Sequence, residues 1–196
     1  MLALIYNGVP SNDKEEIALE ICCQLLSNSQ KTGILDKLQL DGDIMSVGAS
    51  QNAMRDAGIL MINAIPSFDA NQNRWDSHKS VEKIVLSSLR QLQNGEFDEA
   101  TLEAIKQNLI REYDLQMESN EMKAYILASL FNTGADPSDI VNFKEKVKAV
   151  TIDEVKAVAK KYFNDNYLAL NIQEAKNLDS KGQKLKKPDY KPIETK

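Results

Sequence analysis

Most of the evidence for this chain's fold lies in residues 43–66, which read DIMSVGASQNAMRDAGILMINAIP. Two runs in it show the apolar alternation of half-buried strands, Asp43 to Ala53 and Ala57 to Pro66. The intervening segment, Asn52 to Gly58, has the composition of a hairpin loop. The alternation places one set of apolar side chains on a single face of each strand: Met45, Val47 and Ala49, then Ile59, Met61 and Ile65. We therefore expect a β-hairpin in the middle of the domain.

Strand-like alternation also occurs at both ends of the chain. A first run covers Leu2 to Tyr6 and is closed by Gly8 and Pro10, and a last run covers Tyr167 to Ile172. The first predicted strand begins at residue 2, so almost no sequence precedes it. We therefore expect the chain to be a fragment of a longer protein, with Met1 added for expression.

Helical periodicity and capping signals fill the segments between these strands. The first predicted helix runs from an Asn12–Glu15 capping box to near Ser27-Asn28-Ser29, and a short second one from Thr32 to Leu40. Further helices are predicted from about Trp75 to Asn94, from Asp98 to Thr133 as one helix or as two that meet at Ser119-Asn120, from Asp136-Pro137 to about Val150, and from Thr151 to Phe163. The order of elements predicts an α+β fold, a two-layer sandwich with helices on one face of a mainly antiparallel sheet. Regular βαβ alternation is absent from the sequence, which argues against a Rossmann-type fold.

Length and charge limit the class of protein. The 196 residues suffice for one domain with a core of its own, and we expect it to cover residues 1–175. Residues 176–196 are rich in lysine and proline and lack periodicity, as in a linker or tail: Lys181, Lys184, Lys186, Lys187, Pro188 and Pro192. The net charge of −5 argues against a general nucleic-acid binder. No apolar run approaches the ~20 residues of a membrane span.

The sequence contains few candidate catalytic or metal-binding residues. The single histidine, His78, excludes any site that needs two, and Asp76 lies two positions away, where helical side chains do not face each other. Cys22 and Cys23 are adjacent, so they do not bridge each other and form no CxxC motif; we interpret them as small buried hydrophobes. No GxGxxG, GxxxxGK[ST] or GxSxG sequence occurs.

Two further groups of side chains have a structural interpretation. Four acidic residues are expected in the first turns of the first helix, where carboxylates complement the helix dipole: Asp13, Glu15, Glu16 and Glu20. The methionines are expected mostly at patterned core positions, where they fill gaps: Met45, Met54, Met61, Met117 and Met122.

Several segments together resemble domains of the pitrilysin/insulinase family of zinc metallopeptidases. The similar segments are Leu2 to Gly8, Glu20 to Asn28, Gly33 to Gly42, Leu92 to Lys106, Ala149 to Val155, and Ala159 to Phe163. Each is weakly specific, and their order and spacing over residues 2–174 carry the resemblance. It implies the LuxS/mitochondrial-processing-peptidase-like metallohydrolase fold, which agrees with the two-layer sandwich derived above.

The resemblance also indicates what this chain lacks. Catalytic domains of that family carry HxxEH on the first helix, where two histidines bind zinc and the glutamate activates water. Residues 13–23 read DKEEIALEICC and contain no histidine, so no catalytic or metal residue is carried over. Non-catalytic family domains sometimes supply an arginine and a tyrosine seven residues apart. Those positions match Asp36 and Asp43 here, so this substrate clamp is not expected.

The resemblance therefore implies an inactive domain of a zinc metalloendopeptidase, with no cofactor of its own and no assigned substrate-binding residues. Its expected partners are a zinc-bearing catalytic domain of the same parent chain and the parent's peptide substrate, and the isolated domain should expose an apolar face. One alternative is a structural subunit like the core proteins of respiratory complexes, with no protease activity. Another is an unrelated α+β binding module. The sequence does not distinguish between cellular compartments; in a bacterium, the protein would be periplasmic or cytoplasmic.

Overall fold

The computed structural model describes residues 1–69, 74–134 and 138–172. Its strands are β1 Leu2–Gly8, β2 Ile44–Ala53, β3 Gly58–Pro66, β4 Phe68–Asp69, β5 Arg74–Trp75 and β6 Leu168–Asn171. Its helices are α1 Glu16–Leu26, α2 Ile34–Leu40, α3 His78–Asn94, α4 Glu99–Glu118, α5 Asn120–Thr133, α6 Ser138–Ala149 and α7 Ile152–Tyr162.

Within the described residues, the main sheet has four strands in the order β2-β3-β1-β6, and their pairings are all antiparallel. β2 and β3 form the predicted hairpin, with Val47 opposite Ala64 and Ala53 opposite Gly58. The first and last strands of the described chain, β1 and β6, lie side by side. The predicted α+β fold with an antiparallel sheet is confirmed.

Helices cover one face of this sheet. α1 and α2 pack on β2, while α3 and α7 pack on β1. Between the layers lies one apolar cluster, to which β1 and β3 contribute buried side chains: Leu2, Leu4, Tyr6, Leu60, Ile62 and Ala64. Burying a large aliphatic side chain stabilises a fold by ~1.5–3 kcal/mol, so this cluster is the main source of stability.

Local capping chemistry sets the start of four helices. Ser77, Asp98, Ser119 and Thr151 each accept a hydrogen bond from the backbone N–H three residues later, at the starts of α3, α4, α5 and α7. Ser119 also ends α4, so the long helical run is two helices that meet where the sequence predicts a break.

The predicted capping box of α1 is wrong. Asn12 has a φ of 67°, which places it in a left-handed turn instead of the extended conformation of an N-cap. Its backbone N–H donates to Oε2 of Glu16 at 2.7 Å, and the N–H of Glu15 donates to Oδ1 of Asp13 at 2.8 Å. The helix consequently begins at Glu16, and carboxylates satisfy the N–H groups of the turn before it.

The start of α3 also differs from the prediction. Trp75 belongs to β5, which pairs with β4 as a two-residue hairpin, and the helix begins at His78 after its Ser77 cap. The proposed helix start at Asp136-Pro137 and the tail at residues 176–196 lie outside the described residues.

None of the five methionines expected in the core is a buried core residue. Met61, Met117 and Met122 are half-buried, and Met45 and Met54 are exposed. The side chain of Met45 is 58% exposed, because the register of β2 shifts between Ile44 and Ser46 and turns Met45 away from the core. Met54 lies at the hairpin turn and is 46% exposed. The periodic pattern could not reveal either departure, since a bulge changes the face that a residue occupies.

Gly58 allows a close backbone contact at the start of β3. A Cβ atom at this position would lie 2.0 Å from the carbonyl oxygen of Val9, which is far inside van der Waals contact. This contact fixes the hairpin against the segment between β1 and α1.

Candidate functional site

By the family resemblance, helix α1 corresponds to the helix that carries the zinc motif in catalytic domains. It presents an apolar surface to the core, with these residues buried: Ala18, Leu19, Ile21, Cys22, Cys23, Leu25 and Leu26. Within residues 1–69, 74–134 and 138–172, no cluster of three or more His, Cys, Asp or Glu side chains could hold a metal ion. The residues on this helix therefore do not fit a zinc ion.

The adjacent cysteines have no redox or metal-binding geometry. Both are free and buried, and Sγ of Cys22 donates to the carbonyl oxygen of Val155 at 3.6 Å. Burial raises the pKa of both thiols, so the nucleophilic thiolate is disfavoured. These residues help to pack α1 against α7.

Asp36, at the position of the family's arginine, belongs to a buried network. Its Oδ2 accepts the backbone N–H groups of Asn28 at 2.9 Å and Gly33 at 3.0 Å. Its Oδ1 accepts the Ser27 hydroxyl at 2.8 Å and lies 3.5 Å from Nζ of Lys31. The carboxylate is fully buried and closes the turn between α1 and α2, so it cannot contact a substrate.

His78, the single histidine, lies at the N-terminal end of α3. It is half-buried at the start of α3, and its Nε2 lies 3.5 Å from the amino group of Met1. Asp76 is exposed in the segment before the helix.

A cavity in the described part of the chain has a volume of about 770 Å³. It lies between the N-terminal half of α1, the end of β2 and the helices α4 to α6. Tyr113 and Phe143 stack in its wall with ring centroids 4.5 Å apart. The sequence could not reveal this cavity, because its lining comes from elements far apart in the chain.

The acidic residues around the start of α1 have several roles, of which sequence reasoning predicted only the helix-dipole effect. Oε2 of Glu15 accepts the hydroxyl of Tyr162 at 2.6 Å and Nζ of Lys161 at 2.5 Å, which ties α1 to α7. These hydrogen bonds lower the pKa of Glu15. Glu16 and Glu20 instead line the cavity, and burial raises the pKa of each.

The sheet carries a second surface opposite the helices. Cross-strand partners share a face, so side chains that alternate with the core set lie on the outer face of the sheet. We call these residues the outer face: Ala3, Ile5, Ile59, Met61, Ile65, Leu168 and Leu170. Leu168 is 63% exposed and Leu170 is 46% exposed.

Fold and site together define a two-layer α+β domain whose first helix contains no histidine. The family model for the Peptidase M16 inactive domain matches residues 1–109. Since this match covers more than half of the chain, the chain belongs to that family. No curated protein matches it.

Solved structures share the fold. A protease from Helicobacter pylori superposes with a TM-score of 0.74 at 19% identity, over 86% of this chain and 40% of the Helicobacter chain. The inactive peptidase domain of a candidate zinc protease from Bordetella parapertussis superposes with a TM-score of 0.71 at 16% identity, over 86% and 88% of the two chains. A chain of complex III2 from Candida albicans superposes with a TM-score of 0.67 at 13% identity, over 86% of this chain and 41% of the Candida chain. This chain thus spans less than half of the Helicobacter and Candida chains.

Proposed function

We propose that this chain is the non-catalytic domain of a zinc metalloendopeptidase and walls the peptide-binding chamber beside a separate HxxEH domain. Its membership of the inactive-domain family supports the non-catalytic role. Helix α1 supports it further, because its inward side chains are aliphatic or thiol groups and not imidazoles. In this arrangement the partner domain binds the zinc and activates the water.

The observation that carries the proposal is the apolar outer face of the sheet. Leu168 on β6 pairs with Ile5 on β1, and Ile5 pairs with Met61 on β3, so these apolar side chains form one continuous patch, with Leu170 beside Ala3 at its margin. Continuous apolar patches on a protein surface mark contact sites for other protein surfaces. We assign this face to the partner domain.

The open edge of β2 supplies the second part of the proposed role. β2 is a terminal strand of the sheet, and an extended peptide can add to such an edge through main-chain hydrogen bonds. Substrate held in this way would lie along the chamber wall.

A structural role in a larger assembly is the second candidate, favoured by the shared fold with the complex III structure. The match to an inactive peptidase domain favours the peptidase role. A partner chain with HxxEH distinguishes the two, since an assembly without protease activity does not require one.

Co-purification with the HxxEH domain encoded by the same parent gene tests the proposal. We expect the wild-type chain to be retained and Leu168→Glu to be lost, since the substitution puts a charge into the outer face. Leu127→Glu is the matched control, because Leu127 is 52% exposed on α5 and lies outside that face. We expect Leu127→Glu to be retained; retention of Leu168→Glu, or equal loss of both variants, would contradict the assignment.

A further inference from the structure

One edge of β2 is paired with no strand of the described residues and lies next to the cavity. The N–H of Met54 donates to the carbonyl of Ala57 at 2.8 Å, and hydrogen bonding alternates along an antiparallel ladder from that point. The backbone groups of Ala49, Gln51 and Ala53 therefore face away from β3, toward the open edge. Their side chains lie on the helix side of the sheet, as the pairing of Ala49 with buried Ile62 shows.

The cavity begins where this edge ends. Gln51, Asn52 and Ala53 line it on the side of the sheet. Side chains of an added strand that lie opposite Gln51 would share its face and point toward α1. The volume of about 770 Å³ is ample for such a side chain.

The lining has an apolar wall and an excess of hydrogen-bond acceptors. The apolar part includes Ile17, Ile126, Leu130, Phe143 and Val150. The charged part has four carboxylates and two ammonium groups: Asp13, Glu16, Glu20 and Glu154 against Lys14 and Lys146. Among the described residues, no ion pair joins a lysine or arginine to any of these four carboxylates.

Gln51 adds a further acceptor at the junction of edge and cavity. Its Oε1 is buried and accepts no hydrogen bond from the described residues. A buried acceptor without a donor costs free energy, and a donor from a bound molecule would remove that cost. Burial raises the pKa of Glu16 and Glu20, and a bound cation would offset that burial by stabilising the charged carboxylates.

We propose that this cavity binds a lysine or arginine side chain of an extended peptide that has added to the edge of β2. The apolar wall contacts the aliphatic stem, while Glu16, Glu20 and Gln51 accept hydrogen bonds from the cationic head. The inference rests on the proposed function, because it makes this domain a selector of peptides in the chamber.

Binding of labelled peptides to the isolated chain, measured by fluorescence anisotropy, tests the pocket. The probe is a nine-residue peptide of alternating valine and threonine with a central lysine, and the matched probe has norleucine at that position. We expect the lysine peptide to bind about tenfold more tightly, and Glu16→Gln with Glu20→Gln to abolish that preference. Glu118→Gln is the control, since Glu118 is exposed at the end of α4 and does not line the cavity.

Three outcomes would overturn the inference. They are equal binding of the lysine and norleucine peptides, a preference that survives the double substitution, and undiminished binding of a peptide N-methylated at the lysine and at every second residue from it. That methylation removes the N–H groups that an added antiparallel strand would direct at β2. Circular dichroism of the double variant verifies that it is folded. Failure here is distinguishable from failure of the proposed function, because co-purification through the outer face does not involve the cavity.

Discussion

Replacement of Asp36 tests whether the buried network between α1 and α2 is structural. In Asp36→Ala, the backbone N–H groups of Asn28 and Gly33 lose their shared acceptor, and the Ser27 hydroxyl loses its own. A buried N–H without a partner costs ~1–3 kcal/mol, so we expect a loss of about 4 kcal/mol in the free energy of unfolding. Since domains of this size are stable by ~5–15 kcal/mol, the loss is large.

Asp36→Asn separates the hydrogen bonds from the charge. An amide oxygen at the Oδ2 position keeps both backbone hydrogen bonds, and the hydroxyl of Ser27 can rotate to accept from the new NH₂ group. The lost ion pair with Lys31 contributes little, because that side chain is 45% exposed. We expect a loss of about 1–2 kcal/mol.

Urea denaturation measures all these changes. Asp43→Ala is the control and should stay within about 0.5 kcal/mol of the wild type, because Asp43 is exposed. A loss under 1 kcal/mol for Asp36→Ala, with an unchanged denaturant slope, would refute the network as the reason for burying this carboxylate.

Three further predictions follow from single observations. Gly58→Ala should destabilise the domain by more than about 3 kcal/mol in urea denaturation, because its Cβ would clash with the Val9 carbonyl; a change under 1 kcal/mol would contradict the close contact. Cys22 and Cys23 should not react with Ellman's reagent in the native protein and should both react in urea, because burial raises their pKa; fast native labelling would contradict this. Glu20→Gln should stabilise the domain at about pH 7.5 and less so at about pH 4.5. Burial raises the folded pKa of Glu20, so wild-type stability falls as pH rises from the unfolded pKa through the folded one, and an equal gain at both pH values would exclude this cause.

The parts of the fold that local chemistry determines were predictable from the sequence. Alternation identified the central hairpin, and the side chains of Asp98, Ser119 and Thr151 marked helix starts because capping involves neighbouring residues only. Met45 departs from its pattern because a register shift has no sequence signal. Asn12 departs from its predicted role as the N-cap of α1 because it adopts a left-handed conformation in the turn before that helix.

The candidate site depended on tertiary contacts. Glu16 and Glu20 were expected to serve only the helix dipole, since nothing in their neighbourhood in sequence shows that β2 and α6 approach them. Asp36 likewise has no local sign of its buried network. The lack of histidine on α1, by contrast, can be read directly from residue identity.

Peptide hydrolysis by the paired domains tests the central claim, that this domain supports catalysis without performing it. A quenched fluorescent peptide would be incubated with this chain and zinc, with the HxxEH domain of the same parent, and with both together. We expect no hydrolysis by this chain alone and faster hydrolysis by the pair than by the HxxEH domain alone. Stoichiometric zinc on this chain with chelator-sensitive hydrolysis, or a pair no faster than the HxxEH domain, would contradict the account.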